Sequence, residues 1–274
     1  MKKFLKIALK KMLRLLILVY VALLIFAVFL SDRIIFEPHP SSYKDTPEVL
    51  KITTANGSRI SAFYLPNASA KFTLLVSHGN AEDLGDLRDW LEDLRQTGFA
   101  VFAFDYEGYG TSQGRPNEKR SYEDEEAAYD YLVAKLGVPP DHVIILGKSV
   151  GSGPAVHLAT IRPVAALVLQ SPFVSAFRVL TRIPLLPFDK FSNYKKIAHV
   201  HRPVLIIHGD TDSIIGIWHG QKLFDLANEP KSYLWVKGAD HNNLEIVAGA
   251  SYTKALQQFA VSLQNATTRS GPAL

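Results

Sequence analysis

Six short apolar runs, each four to seven residues long, constrain this chain more than any other feature. They read FTLLVS (72–77), AVFAFDY (100–106), HVIILG (142–147), AALVLQS (165–171), PVLIIHG (203–209) and YLWV (233–236). Runs that are apolar throughout, rather than alternating, suit a parallel sheet covered on both faces. Stretches with helical spacing separate them. Leu84, Leu87, Leu91 and Leu94 mark 84–97, and 118–136, 152–161, 216–228 and 244–264 also fit. Ahead of the first run, VLKITTA and SRISAFYL flank Asn56-Gly57, a hairpin signal because both turn positions tolerate positive φ. The expectation is an α/β fold with an eight-stranded, mostly parallel sheet and flanking helices. A length of 274 residues suits one such domain over 49–265, an N-terminal appendage and a flexible tail over 266–274.

The appendage has its own signature. Residues 1–30 hold six basic side chains and no acidic one, and 13–30 read LRLLILVYVALLIFAVFL. Eighteen residues at about 1.5 Å each span roughly 27 Å, close to the hydrocarbon thickness of a bilayer. Arg14, at the edge, is long enough to reach the interface. These features predict a basic flank over 1–12, a transmembrane helix over 13–30 and a Pro-, Ser- and charge-rich linker over 31–48. The apolar run is long for a cleaved signal peptide, and no A-x-A site follows it, so an uncleaved signal anchor is favoured over a cleaved one. The positive-inside bias then keeps residues 1–12 cytoplasmic and places the larger domain on the other side. Without the leader, 24 basic residues face 26 acidic ones, which argues against a nucleic-acid partner. The chain has no cysteine, which excludes disulfides, thiolate catalysis and cysteine lipidation.

Gly147-Lys148-Ser149-Val150-Gly151 matches G-x-S-x-G, follows an apolar strand and precedes an Ala/Val-rich helix. A nucleophilic serine needs such a setting: a tight strand-to-helix turn whose small flanking residues let the backbones approach. Ser149 is therefore the expected nucleophile. His241, in GADHNN just after the last strand, is the expected general base. The acid that orients it must follow PVLIIHG, where Asp210 and Asp212 both qualify. Asp212 is favoured, because Asp210 adjoins the strand end and suits a turn-forming role. Two main-chain donors complete an oxyanion hole. Val150 supplies one, and the Ser77–Ala81 loop supplies the other through Asn80, with Ala81 a close second. His78 is expected to shape that loop. His39, His142, His157, His199, His201 and His219 lack metal-ligand spacing, and the chemistry calls for no metal and no cofactor.

About thirty residues lie between the strands ending at 171 and starting at 203, too few for a large cap domain. Their apolar residues, Phe173 to Phe191, admit two readings: a cover for the sheet edge, or also the mouth of an acyl pocket close to the bilayer.

With these motifs in place, the chain resembles the α/β-hydrolase-domain-containing proteins 13 and 17 and their bacterial and fungal relatives. The likeness rests on SHGNAEDLG (77–85), FDYEGYGTSQGRPNEK (104–119), ILGKSVGSGPAVHLA (145–159), LQSPFVSAFRV (169–179), FDKFSNYKKI (188–197), LIIHGDTDSIIGIWHG (205–220) and KGADHNN (237–243). The resemblance implies serine ester or thioester hydrolysis, with nucleophile Ser149, acid Asp212 and base His241. Some relatives remove palmitoyl groups from proteins, and others are single-pass membrane proteins. This chain lacks the N-terminal cysteine cluster of the first kind and carries an apolar helix instead. A peptidase or amidase of the same fold, and a non-catalytic membrane scaffold, are the rival expectations.

Overall fold

The computed structural model describes residues 2–269, which fall into two compact units, Met1–Glu37 and Pro38–Leu274. The first unit is built on helix α1 (Lys2–Phe29), long and apolar enough to cross a membrane, and a single helical turn, α2 (Asp32–Ile35). The helix begins well before residue 13, so the basic flank is helical too. The stretch expected as a linker, 31–48, divides. Its first part holds α2, whereas Ser42 and Tyr43 are bonded into the second unit. The Ser42 amide donates to Asp83 Oδ2 at 2.8 Å, and the Tyr43 hydroxyl donates to Asp105 Oδ2 at 2.5 Å.

The second unit holds strands β1 (Leu50–Thr53), β2 (Arg59–Leu65), β3 (Thr73–Ser77), β4 (Ala100–Phe104), β5 (Val143–Lys148), β6 (Ala166–Gln170), β7 (Val204–Gly209) and β8 (Lys231–Val236). They form one eight-stranded sheet in the order β1-β2-β4-β3-β5-β6-β7-β8, in which β2 runs antiparallel to both β1 and β4 and every other pairing is parallel. Every residue of β3, β4, β6 and β7 is buried, as strands covered on both faces must be. The helices are α3 (Arg88–Gln96), α4 (Glu118–Ala134), α5 (Ser152–Ile161), α6 (Ala176–Thr181), α7 (Asn193–Lys196), α8 (Trp218–Leu226), α9 (Leu244–Ala248) and α10 (Ala250–Arg269).

Three local departures have physical causes. The β1–β2 connection closes through Gly57 N to Thr54 O at 2.9 Å, and only Gly57 takes positive φ (+87°), so the turn spans Ala55–Gly57 instead of the Asn-Gly pair alone. Helix α3 starts at Arg88, because the Asp83 carboxylate takes the amides of Gly85 and Asp86 and holds that stretch in a turn. The helix expected over 244–264 breaks at Gly249, with φ +49° and ψ −129°. Helix α10 then continues through Arg269, past the expected start of the tail, and residues 270–274 lie outside the described residues.

Candidate active site

Parallel strands end on the same edge of a sheet, and that edge brings together residues far apart in the chain. Ser149 follows β5, Asp212 follows β7 and His241 follows β8. The His241 Nε2 lies 3.0 Å from Ser149 Oγ, and its Nδ1 lies 2.8 Å from Asp212 Oδ2. Asp210 is not part of this chain of bonds: its Oδ1 accepts the Gly238 amide at 2.6 Å, tying the β7 turn to the β8 turn.

Ser149 has φ +52°, a left-handed conformation that costs a non-glycine residue about 1–3 kcal/mol. Its flanks make the turn possible. A Cβ at Gly147 would sit 2.6 Å from the Cβ of Ala155, and one at Gly151 would sit 2.0 Å from the Ser77 carbonyl oxygen. The Ser152 hydroxyl closes the turn by donating to Ser149 O at 2.7 Å.

Asp212 is buried and well bonded. Its Oδ1 accepts the amides of Ile214 at 3.0 Å and Ile215 at 2.7 Å. His208 Nε2, which donates to Ile215 O at 2.7 Å, also lies 3.2 Å from Asp212 Oδ2. Burial alone would raise this carboxyl, but His208, His241 and the Ile215 amide outweigh it and hold Asp212 well below the usual carboxylate range. The Asp and His loops are also cross-tied by Asp240, whose Oδ1 accepts the amides of Ser213 at 2.7 Å and His241 at 2.8 Å.

A relative from Xenopus laevis, alpha/beta hydrolase domain-containing protein 17B, is 41% identical over 234 residues, covering 84% of this chain and 80% of its own. The protein 17B of Homo sapiens is 40% identical over the same shares. The chain belongs to the α/β-hydrolase-domain-containing protein 17 family. The Hydrolase_4 family, described as serine aminopeptidase S33, also matches residues 68–194. Among solved structures, an esterase of Pyrococcus furiosus superposes with a TM-score of 0.69 at 19% identity, covering 81% of this chain and 95% of its own. The esterase domain of a Rhodothermus marinus protein gives 0.59 at 22% identity, covering 79% and 97%. These two likenesses bear on the fold, and they agree with the α/β-hydrolase sheet described above.

In this member of the protein 17 family, the loop after β3 is fixed from several sides. Gly79 N donates to Glu82 Oε1 at 2.6 Å, and the Tyr109 hydroxyl donates to Asn80 Oδ1 at 2.6 Å. His78 is fully buried, with Nδ1 2.8 Å from Gly79 O and Nε2 3.3 Å from Asp105 Oδ1. Ala81 adopts φ +53°. The Val150 amide follows the serine at the start of the turn into α5.

Lys148, the last residue of β5 and next to the serine, joins that strand to the loop after β3 and to helix α9. Its Nζ lies 3.0 Å from Glu82 Oε2 and 3.7 Å from Glu245 Oε1, above the Trp90 ring. Burial alone would depress this ammonium, but the two glutamates keep it above its ordinary value and therefore charged. From sequence, His208 reads only as a structural residue ahead of the acid turn, and the Lys148–Glu82–Glu245 network is not singled out. Ion pairs spanning 66 and 97 residues leave no local pattern, though a lysine beside the serine in G-x-S-x-G is itself a signal that a carboxylate must face it.

His219 lies apart from these bonds. It is buried, accepts the Val174 amide at 3.1 Å, and is depressed to about 4 by burial. Among the described residues, His39, Asp83 and Asp86 are grouped closely enough for a metal. Asp83 is already saturated by Ser42 and the Gly85 and Asp86 amides, and His39 Nε2 lies 2.9 Å from Asp86.

Proposed function

We propose that the chain is a membrane-anchored serine hydrolase that cleaves carboxylic esters or thioesters of acyl chains through a Ser149–His241–Asp212 triad. The observation that carries this reading is the unbroken run of contacts from Ser149 Oγ through the imidazole to Asp212, at 3.0 and 2.8 Å. In the first step, Oγ attacks the acyl carbonyl as Nε2 takes its proton. Asp212 holds the Nδ1–H tautomer and stabilises the imidazolium. The amides of Val150 and Asn80 face the oxyanion, with Ala81 as the alternative donor, and the leaving group departs with the proton from His241. Water, activated by the same imidazole, then releases the acid from the acyl-enzyme. No cofactor takes part.

An amide reading has one specific support, the serine aminopeptidase description of the matching family. The ester and thioester reading is preferred because the stretch after β6 supplies apolar side chains suited to an acyl group. A panel of acyl esters, acyl thioesters and peptides of graded length tests both. Cleavage of medium and long acyl esters or thioesters, lost in Ser149→Ala, is expected. Cleavage of peptides with no turnover of acyl esters would overturn the preference.

The apolar helix supplies the anchor in this reading. The basic residues 1–12 stay in the cytoplasm and the catalytic unit lies across the membrane.

A further inference from the structure

The segment from Pro172 to Arg202, which leaves the end of β6 beside the serine-bearing β5, presents outward-facing surface chemistry beyond the acyl-binding role given to it above. Part of it is core: Phe173 and Phe191 are buried, and a Cβ at Gly153 would sit 2.2 Å from Phe191. The rest faces outward. Leu180 is 80% exposed, Ile183 59%, Leu185 47% and Phe188 37%. Among the described residues after Pro38, eleven large apolar side chains are exposed, and four of them fall in these nine positions. Single exposed leucines are ordinary, but a contiguous group marks a surface that another phase or molecule covers.

Charge selects the occupant. Residues 172–202 hold six basic side chains and one acid, Asp189, whereas the rest of 31–274 holds eighteen basic and twenty-five acidic. Within a net negative domain this stretch of the chain is therefore net positive, and the exposed apolar residues fall inside it; Arg178 and Lys196 are turned to Asp189 and Tyr122. Arg182 and Lys195 within it are exposed. Apolar side chains framed by cations match an anionic lipid surface, where the tails accept the former and the head groups pair with the latter. A soluble acidic protein would satisfy the charges but would leave less reason for bare leucine, isoleucine and phenylalanine. Eight residues separate Phe29 from Pro38, a reach of at most about 28 Å, so a tethered domain meets lipid at high effective concentration.

We propose that residues 180–188, framed by Arg182 and Lys195, form a second membrane contact that lies on an anionic lipid surface. It rests on the membrane anchor proposed above, and it would bring the edge of the sheet that carries Ser149 to the phase where acyl chains reside.

The absence of native cysteine permits a direct test. The full chain carrying Leu185→Cys, labelled with an environment-sensitive fluorophore, is reconstituted in phosphatidylcholine vesicles containing phosphatidylglycerol. Ile183→Cys provides a second site should the first variant fail to fold, and Lys135→Cys, exposed beyond the end of α4, is the aqueous reference. Quenching by spin labels on the acyl chains, with several-fold less quenching by iodide than at 135, is expected. Arg182→Glu with Lys195→Glu should weaken the lipid quenching. Iodide quenching equal to that at 135 overturns the contact. Shielding from iodide without lipid quenching also overturns it, because a second copy or another part of the protein then covers the strip. Extraction of the chain by alkaline carbonate overturns the anchor itself, and this contact with it.

Discussion

Ser149 carries an unfavourable backbone conformation because glycines at 147 and 151 allow the two backbones to touch, and the Ser152 hydroxyl locks the result. The same economy of contacts distinguishes the two aspartates of the β7 turn. Asp212→Asn is expected to reduce kcat by about 10⁴-fold, because the amide favours the wrong imidazole tautomer. Asp210→Asn should leave kcat within a few-fold, since Asp210 serves only the Gly238 amide. Steady-state kinetics on one acyl ester compares the two. Lys148 and Glu82 are positioning residues: they tie the serine turn to the Gly79 amide without reaching the serine hydroxyl. Lys148→Met or Glu82→Gln should lower kcat by up to about 10²–10³-fold, the loss typical of one oxyanion donor, with KM little changed. The double variant should lose less than the product of the two. At this scale the serine, histidine and preferred aspartate were legible because each sits beside a strand end in a recognisable turn. The residues that hold them were less so: His208 reads only as a structural residue before the acid turn, without its contact to Asp212, and Glu82 and Glu245 meet Lys148 only after folding.

The elements follow the apolar runs closely, because a strand buried on both faces has few ways to be written. Boundaries were less legible where a single side chain or glycine decides them, as the Asp83 carboxylate does before α3 and Gly249 does between α9 and α10. Gly151 shows how tightly two elements depend on one position. Gly151→Ala, which would press a methyl against the Ser77 carbonyl, should destabilise the fold by about 1–3 kcal/mol in denaturant unfolding, with activity falling as the turn shifts. Helix α4 brings a second dependence, on pH. Asp124 is pushed up to about 8, chiefly by burial, against an ordinary 3.8. Its neutral form is favoured by the folded state, so its contribution is full below about pH 4 and is lost as pH rises towards 8. Asp124→Asn should flatten that decline, and melting temperatures across this range would reveal it. An identical pH profile in the variant would contradict the assignment.

The whole molecule joins a charge-polarised apolar helix to a net negative hydrolase unit. In composition the six leader cations and the apolar run stand apart from everything that follows, whereas the two compact units meet at Glu37 and Pro38, inside the stretch expected as a linker. The bonds that seat Ser42 and Tyr43 on the second unit were not legible, because a Pro/Ser-rich stretch looks the same whether solvated or packed. If α1 is the anchor, the intact chain should resist alkaline extraction, and a chain beginning at Pro38 should be soluble and keep its activity on a water-soluble ester. Recovery of the intact chain in the supernatant would contradict the anchor while leaving the chemistry untouched. The chemistry itself meets its most direct test in fluorophosphonate labelling of the intact membrane-bound chain and of folded Ser149→Ala. Covalent labelling that vanishes in the variant and weakens strongly in His241→Ala is predicted. Labelling that persists in Ser149→Ala, or fails altogether in the folded native chain, would contradict a nucleophile at position 149.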